Sequence, residues 1–225
     1  MKLISANLDH YYHTMQNKYP NILWFGDEAR RDVALTFDDG PHPKDTLRVL
    51  DTLAKYNIHD TFFLIGKYAE QYPKLVKQIH QSGHQLGIHC YHHRPFQLEN
   101  PTTLRVQLDH TRNVIAETCG ISPEPIRDLR PPYGAFTPKI ASMLADWGYR
   151  LVLWNNIPPH WMQPLNWTIS QIFDQITPGS IIVLHDGHGH GRKVASIIDT
   201  IVPRLKIIGY NFIRIKDMKR NRLNE

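Results

Sequence analysis

The stretch VALTFDDGP, residues 33–41, decides how this chain folds. Val33 to Phe37 is an unbroken run of apolar and β-favouring residues, the pattern of a strand buried on both faces. Such strands belong to parallel sheets covered by helices. Gly40-Pro41 stops the strand and leaves two adjacent carboxylates, Asp38 and Asp39, at its end. Anions this close repel one another, so the pair calls for a cation or a shared proton. The competing reading is a turn in which an aspartate caps the next helix.

Outward from this strand the chain alternates apolar runs with helical periodicity. A helix over about 45–57 places Leu47, Leu50, Leu53 and Ala54 on one face. Strands are predicted at TFFLIG (61–66), HQLGIHC (84–90), PIRDLR (125–130), YRLVLW (149–154), GSIIVLH (179–185) and YNFIRI (210–215). Helices are predicted near 68–82, 102–119, 137–147, 168–176 and 193–208, with a Pro-rich loop at 157–165. Seven strand–helix alternations with short connections predict an α/β fold, a (β/α) barrel of about seven parallel strands ringed by helices. Upstream, Leu8, Tyr11, Tyr12, Met15 and Tyr19 recur at three- and four-residue steps, predicting an amphipathic helix that closes one end of the domain. Residues 1–30 therefore read as a helical extension, 31–216 as the main domain and 217–225 as a basic tail.

With 225 residues, 41% of them hydrophobic, the chain can bury a core without disulfides. No apolar run approaches the roughly 20 residues of a membrane span. The first twenty residues lack a signal-peptide core, so the sequence as it stands reads as cytoplasmic. Cys90 and Cys119 are the only cysteines, and reduced thiols are expected. Of the net charge of +5, the last ten residues contribute +2, with Lys216, Lys219, Arg220 and Arg222 against Asp217 and Glu225, and the remaining +3 is spread over the rest of the chain. No basic run is interleaved with aromatics, which argues against a nucleic-acid partner. A solvated tail is favoured over one that binds an anionic polymer.

In folds of this kind, chemistry gathers where strands end, and the polar motifs fall there. His89-Cys90-Tyr91-His92-His93 follows the third strand. Two imidazoles and one carboxylate make a three-ligand zinc site with a position open for water. His89 and His93 suit that site, and His92 competes at the shorter spacing. Arg130-Pro131-Pro132-Tyr133-Gly134 follows the fourth strand. An arginine beside Asp38 would hold that carboxylate ionised, and the prolines would fix the Tyr133 amide toward a developing oxyanion. Taken alone, a rigid loop with a surface arginine fits equally well. His185, at the end of the sixth strand, has the side chain to protonate a leaving amine. His188 and His190 read as a flexible Gly-rich loop rather than a second metal tract. Trp161 is read as an apolar wall for a sugar ring or acetyl methyl, and Trp24, Trp147 and Trp154 as core.

With these motifs in place, the sequence resembles the polysaccharide deacetylases of carbohydrate esterase family four, the NodB-homology domain. TFDDGP, DTFFLIG, GHQLGIHCYHH, RPPYG and SIIVLHDG occur in the family's order from about Arg31 to Lys216. The resemblance implies a distorted barrel that binds a divalent metal, zinc first with cobalt or nickel as alternatives, through Asp39, His89 and His93. It implies Asp38 as general base held by Arg130, a water on the metal as nucleophile, the Tyr133 amide at the oxyanion and His185 as general acid. The substrate would be an acetylated carbohydrate, an N-acetylglucosamine-containing glycan above all, contacted by Pro132, Tyr133, His160 and Trp161. Relatives act mostly outside the cytoplasm, which sets the family against the missing signal.

Two further positions depart from the family pattern. Cys90 stands where Ser or Thr is usual, and a thiol is the poorer hydrogen-bonding group. The Asp-x-x-Asp-Trp motif appears as Ile157-Pro158-Pro159-His160-Trp161, so both carboxylates are gone and the tryptophan stays. His160 then gives His185 no negative charge to favour its protonated form. Rival readings are a non-catalytic sugar- or metal-binding relative, a deacylase of small non-sugar amides, and a non-haem iron oxygenase with two His and a carboxylate. The oxygenase lacks a companion Arg or Lys for an oxo-acid cosubstrate.

Overall fold

A computed structural model describes residues 2–187, 189 and 191–219, with side chains from residue 10 onward. The Leu8 side chain, His188, His190 and residues 220–225 of the basic tail lie outside the described residues. Strand β1 (Asp32–Gly40) is buried along its whole length, as its apolar run requires. It lies between β2 (Thr61–Leu64) and β6 (Ile181–His185), and pairs through its first two residues with β7 (Asn211–Phe212). Beyond β2 come β3 (Gln85–Ile88), β4 (Asp128–Leu129) and β5 (Arg150–Leu151), giving the order β5-β4-β3-β2-β1-β6 with every pair parallel.

The two ends of this order meet. Asn156, just past β5, forms a parallel bridge with Ile182 of β6, its amide donating to Ile181 O and its carbonyl accepting from Val183. Closing a sheet on itself removes its exposed edges. The closure is made by single bridges rather than a full ladder, which is the distortion of this barrel. On the upstream side α1 (Lys2–Lys18) leads into Ile22–Phe25, whose side chains are all buried, and Leu23 bridges to Val152.

Helices α2 (Asp45–Lys55), α5 (Pro101–Cys119), α6 (Pro138–Asp146), α7 (Leu165–Gln175) and α8 (Gly191–Ile207) surround the sheet. Asn100 caps α5 by accepting from Thr102 N, and Thr137 caps α6 by accepting from Ile140 N. The helix expected over 68–82 is two, α3 (Gly66–Gln71) and α4 (Pro73–Gln81), because Pro73 cannot continue the first and opens the second. The buried stripe of α2 is Thr46, Val49, Leu50 and Leu53. Leu47 and Ala54, expected in it, are exposed, since Thr46 turns inward toward β6. Among the described residues, no helix is long and apolar enough to cross a membrane.

Just before β3, the buried His84 accepts a hydrogen bond at Nδ1 from the Asp60 amide, 3.1 Å away. Burial, with His59 and Arg214 nearby, pushes its pKa down to about 4. Below pH 6.5 the unfolded chain therefore binds a proton that the folded chain refuses. Stability should fall between pH 6.5 and 4, with this group contributing about 3 kcal/mol of the loss. In His84→Asn, which keeps an acceptor for the Asp60 amide, urea unfolding midpoints should fall less steeply over that range than in the parent. An equal slope in both proteins would show that His84 titrates normally.

Candidate active site

Arg130 follows β4 and points back into the barrel, with none of its surface exposed. Its Nη1 donates to Asp38 Oδ1 at 2.8 Å and to Thr36 Oγ1 at 2.7 Å. Nε and Nη2 donate to the carbonyls of Val152 (3.3 Å) and Leu153 (3.0 Å), and the guanidinium lies 4.2 Å above the Phe63 ring. This is no surface arginine. One side chain ties the end of β1 to the closing segment after β5, and it fixes Asp38, itself 2% exposed. The partner Thr36, on the same strand and facing the same way two residues earlier, was not singled out by motif reading; the period of two along β1 was the available signal.

The next residue, Asp39, takes a left-handed backbone (φ +70°) and so leaves the direction strand alternation would give it. Its Oδ1 is 3.3 Å from His89 Nε2 and 3.1 Å from His93 Nε2. The ligand atoms of all three lie within 4.8 Å of one another. His89 Nδ1 sits 2.8 Å from the Arg130 carbonyl, to which it donates, so in the neutral ring Nε2 carries the lone pair. A lone pair and a carboxylate oxygen facing each other need a cation or a proton between them. The donor set therefore fits a divalent metal, and the Arg130 carbonyl takes the second ring N–H of His89 as a backbone carbonyl commonly does for a ligating imidazole. Burial alone would raise the Asp39 pKa, but His89 and His93 hold it far below the ordinary carboxylate range. Burial would lower His89, and Asp38 with Asp39 outweigh it, so its pKa is raised. His92 is exposed, its ring edge against Tyr91, and takes no part in this group.

Five non-glycine residues among those described have positive φ, and four of them, Asp39, Cys90, His93 and Tyr133, are at this site. Strained backbone concentrates where side chains must be aimed. Cys90 supports the turn. Its buried Sγ accepts from His93 N at 2.9 Å, and burial raises the thiol pKa to about 12, so it stays a neutral thiol. The bond expected to weaken at this position is made by sulfur instead.

A cavity of about 520 Å³ opens over these groups, lined by Asp38, Asp39, His89, His93, Tyr133 and His185, with Pro131, Trp154, Ile157 and Trp161 as further wall. Asp38 and His185 are register partners on β1 and β6, which places acid and base candidates side by side. Burial lowers the His185 pKa, with His89 and Arg130 adding to it and Asp38 and Asp39 opposing. Its Nδ1 is buried without a hydrogen-bond partner among the described residues. Trp161, 40% exposed, sets its ring 5.0 Å from that of His185, edge to face.

Two residues expected at the substrate lie behind the wall. Pro132 is buried, and Pro131 lines the cavity in its place. His160 is wholly buried, its ring stacked 5.1 Å from His185; its Nδ1 donates toward Pro158 O (3.2 Å) and its Nε2 accepts from His185 N (3.2 Å). Trp154, read as core, packs against the core and also lines the cavity.

Residues 26–152 match the family model described as polysaccharide deacetylase. The chain is 33% identical over 195 residues to a peptidoglycan-N-acetylglucosamine deacetylase of Bacillus cereus, covering 86% of this chain and 70% of that one. It is 35% identical over 195 residues to a chitooligosaccharide deacetylase of Azorhizobium caulinodans, covering 81% and 92%. The crystal structure of a peptidoglycan N-acetylglucosamine deacetylase in complex with an N-oxidanyl-benzamide superposes with a TM-score of 0.85 at 30% identity, over 90% of this chain and 94% of the other. By its sequence, its barrel and its relatives, the chain belongs to the polysaccharide deacetylase family.

Proposed function

We propose that the protein is a metal-dependent hydrolase that removes N-acetyl or O-acetyl groups from a carbohydrate, an N-acetylglucosamine-containing glycan being the favoured substrate. The observation that carries this reading is the separation of roles between neighbours. Asp39 converges with His89 and His93, whereas Asp38 is held away by Arg130 and faces His185. A site that only bound metal or sugar would not need the second carboxylate. The substrate class rests on the relatives' named activities and on the exposed rings of Tyr133 and Trp161 at the cavity.

Asp39, His89 and His93 are the proposed ligands of a divalent cation, with zinc favoured over cobalt or nickel for a mixed N/O three-residue set. When bound, such a cation supplies Lewis acidity and lowers the pKa of a coordinated water. Asp38 takes the proton of the attacking water, and Arg130 keeps its carboxylate oriented for that transfer. The Tyr133 amide donates to the oxyanion of the tetrahedral intermediate, and Pro131 and Pro132 hold that turn stiff. His185 returns a proton to the leaving nitrogen or oxygen, so the acetyl leaves as acetate and the sugar as amine or alcohol.

After chelation and dialysis, the parent protein should regain acetate release with zinc or cobalt. His89→Ala and His93→Ala should fail to take up zinc by elemental analysis, and His92→Ala should load normally. Zinc loss in the His92 variant equal to that of the other two would overturn the ligand assignment. Asp38→Asn should keep its zinc and lose roughly 10²–10⁴-fold in kcat, the usual size of one acid–base group; near-normal turnover would move the base elsewhere. Arg130→Met leaves Asp38 buried without its cation, and should lower the unfolding free energy by about 3–5 kcal/mol. A loss under 1 kcal/mol would mean that water replaces the guanidinium.

A further inference from the structure

A second cavity, of about 400 Å³, adjoins the first on the side of α1. Tyr133, Gly134 and Trp154 line both. Five rings make up most of its remaining wall, Tyr11, Tyr12 and Tyr19 from α1 and the turn after it, Trp24, and Phe136 from the loop beyond Tyr133, with Met15, Gln97, Ala135 and Leu153 between them. The rings brace one another. Tyr11 and Tyr12 contact Trp24 at 6.4 and 6.2 Å, and Tyr19 meets Phe136 edge-on at 5.5 Å. No lining residue carries a charge, and the polar side-chain groups are the tyrosine hydroxyls, the indoles and Gln97.

The shared boundary is built for close approach. Gly134 has φ +64°, and a Cβ there would stand 2.5 Å from the Trp154 ring, so only glycine lets Trp154 lie against this loop and serve both cavities. On either side of the boundary stand two exposed rings, Tyr133 at 68% and Tyr11 at 49%. Together with the aromatic wall between them, these rings form a contiguous apolar surface with a polar rim, the character of a ligand-binding groove. A pyranose presents apolar C–H faces with hydroxyls at its rim. Flat rings with polar tips complement that shape, whereas an ionic peptide or phosphate would find no countercharge here.

We propose that this groove is a subsite for a neutral sugar of the same glycan, beside the residue whose acetyl group sits at Asp39, His89 and His93, and that Tyr11 is its outer stacking platform. The inference rests on the glycan reading given above. It assigns α1, which lies outside the family match at residues 26–152, a part in substrate recognition. The enzyme then prefers chains to single sugars, because neighbouring residues add contact without touching the reacting bond.

The test compares acetate release from N-acetylglucosamine, its dimer and its tetramer, with 4-nitrophenyl acetate as a small ester that cannot reach the groove. In the zinc-loaded parent, kcat/KM should climb from monomer to tetramer. Tyr11→Ala should lose about five- to tenfold on the tetramer, the size of one aromatic contact, and stay within about twofold of the parent on the ester. Tyr11→Phe, which keeps the ring, should retain the gain with chain length. In Asp38→Asn, tetramer binding followed by tryptophan fluorescence should weaken by the same factor on adding Tyr11→Ala, which reads the contact without turnover even if that variant is less stable. A tetramer handled no better than the dimer, or unchanged by Tyr11→Ala in both measurements, would overturn the subsite while leaving the deacetylase reading intact. Ester cleavage without acetate release from any sugar would overturn the glycan reading and the subsite with it.

Discussion

The buried guanidinium of Arg130 is the constraint on which the rest of the site depends. A cation with no exposed surface is costly unless every donor finds an acceptor and a counter-charge stands beside it. Here the counter-charge is Asp38, and Thr36, Val152 and Leu153 take three of the other four N–H groups. Satisfying Arg130 thus brings the end of β1 and the segment after β5 to one point inside the barrel. The same residue's carbonyl accepts from His89 Nδ1 and so turns Nε2 toward Asp39. One residue orients Asp38 with its side chain and His89 with its backbone. Neither function is separable from barrel closure, because the Val152 and Leu153 carbonyls exist at that place only while the closing segment is docked.

Aiming the ligands has a backbone cost that the surroundings offset. Asp39, Cys90, His93 and Tyr133 all sit at positive φ, each costing of order 1 kcal/mol or more for a residue with a side chain. Packing behind the site holds them. Asp186, wholly buried, accepts from Thr46 Oγ1 and presses its carboxylate into the space where a Cβ on Gly40 would be. Its backbone amide donates to the Asp38 carbonyl at 3.2 Å. Burial raises the Asp186 pKa to about 7, with the hydrogen bond from Thr46 opposing the rise. Gly187 lies equally close to Asp39, where a Cβ would meet the Asp39 carbonyl at 2.7 Å. The end of β6 and the end of β1 are therefore clamped to each other, and the twist of Asp39 is over-determined.

How much of this was legible in the sequence follows from how local each signal is. The seven strands and their parallel direction were readable because buried parallel strands write themselves as apolar runs, and the strand-end position of Asp38, His89, Arg130 and His185 came with them. The break at Pro73 was also local and was missed only because the periodicity on either side is continuous. The inward turn of Thr46 and the exposure of Leu47 were not readable from α2 alone, since a partner just past β6, Asp186, 140 residues away, decides which side of the helix is inside. The choice between His92 and His93 depends on a left-handed turn at His93 and on a thiol accepting its amide. The aromatic wall of α1 had the spacing of a packing helix, and nothing in residues 1–24 says that its face borders a cavity. Such information belongs to the loop of Gly134, which comes more than a hundred residues later.

His160 serves the site as a structural part rather than as a charge. The family resemblance implies a carboxylate at its place beside His185, and a neutral ring there offers no such charge stabilisation. The geometry accounts for why an imidazole is kept in the barrel wall. Nδ1 donates toward Pro158 O in the Pro-rich loop, Nε2 accepts the amide of His185, and the two rings stack. Lys193 of α8 then donates to the carbonyls of His160 and Gln163 at 2.7 Å each, pinning the loop that carries Trp161. A carboxylate has no N–H to offer Pro158, so it could reproduce only the acceptor half of this strut. The position therefore holds the end of β6 and the tryptophan wall in register with the cavity. The electrostatics of His185 are left to Asp38 and Asp39, whose attraction opposes the burial that lowers its pKa. His185, Asp38 and Asp39 are thus coupled electrostatically, so a change of charge at any one of the three is felt by the others.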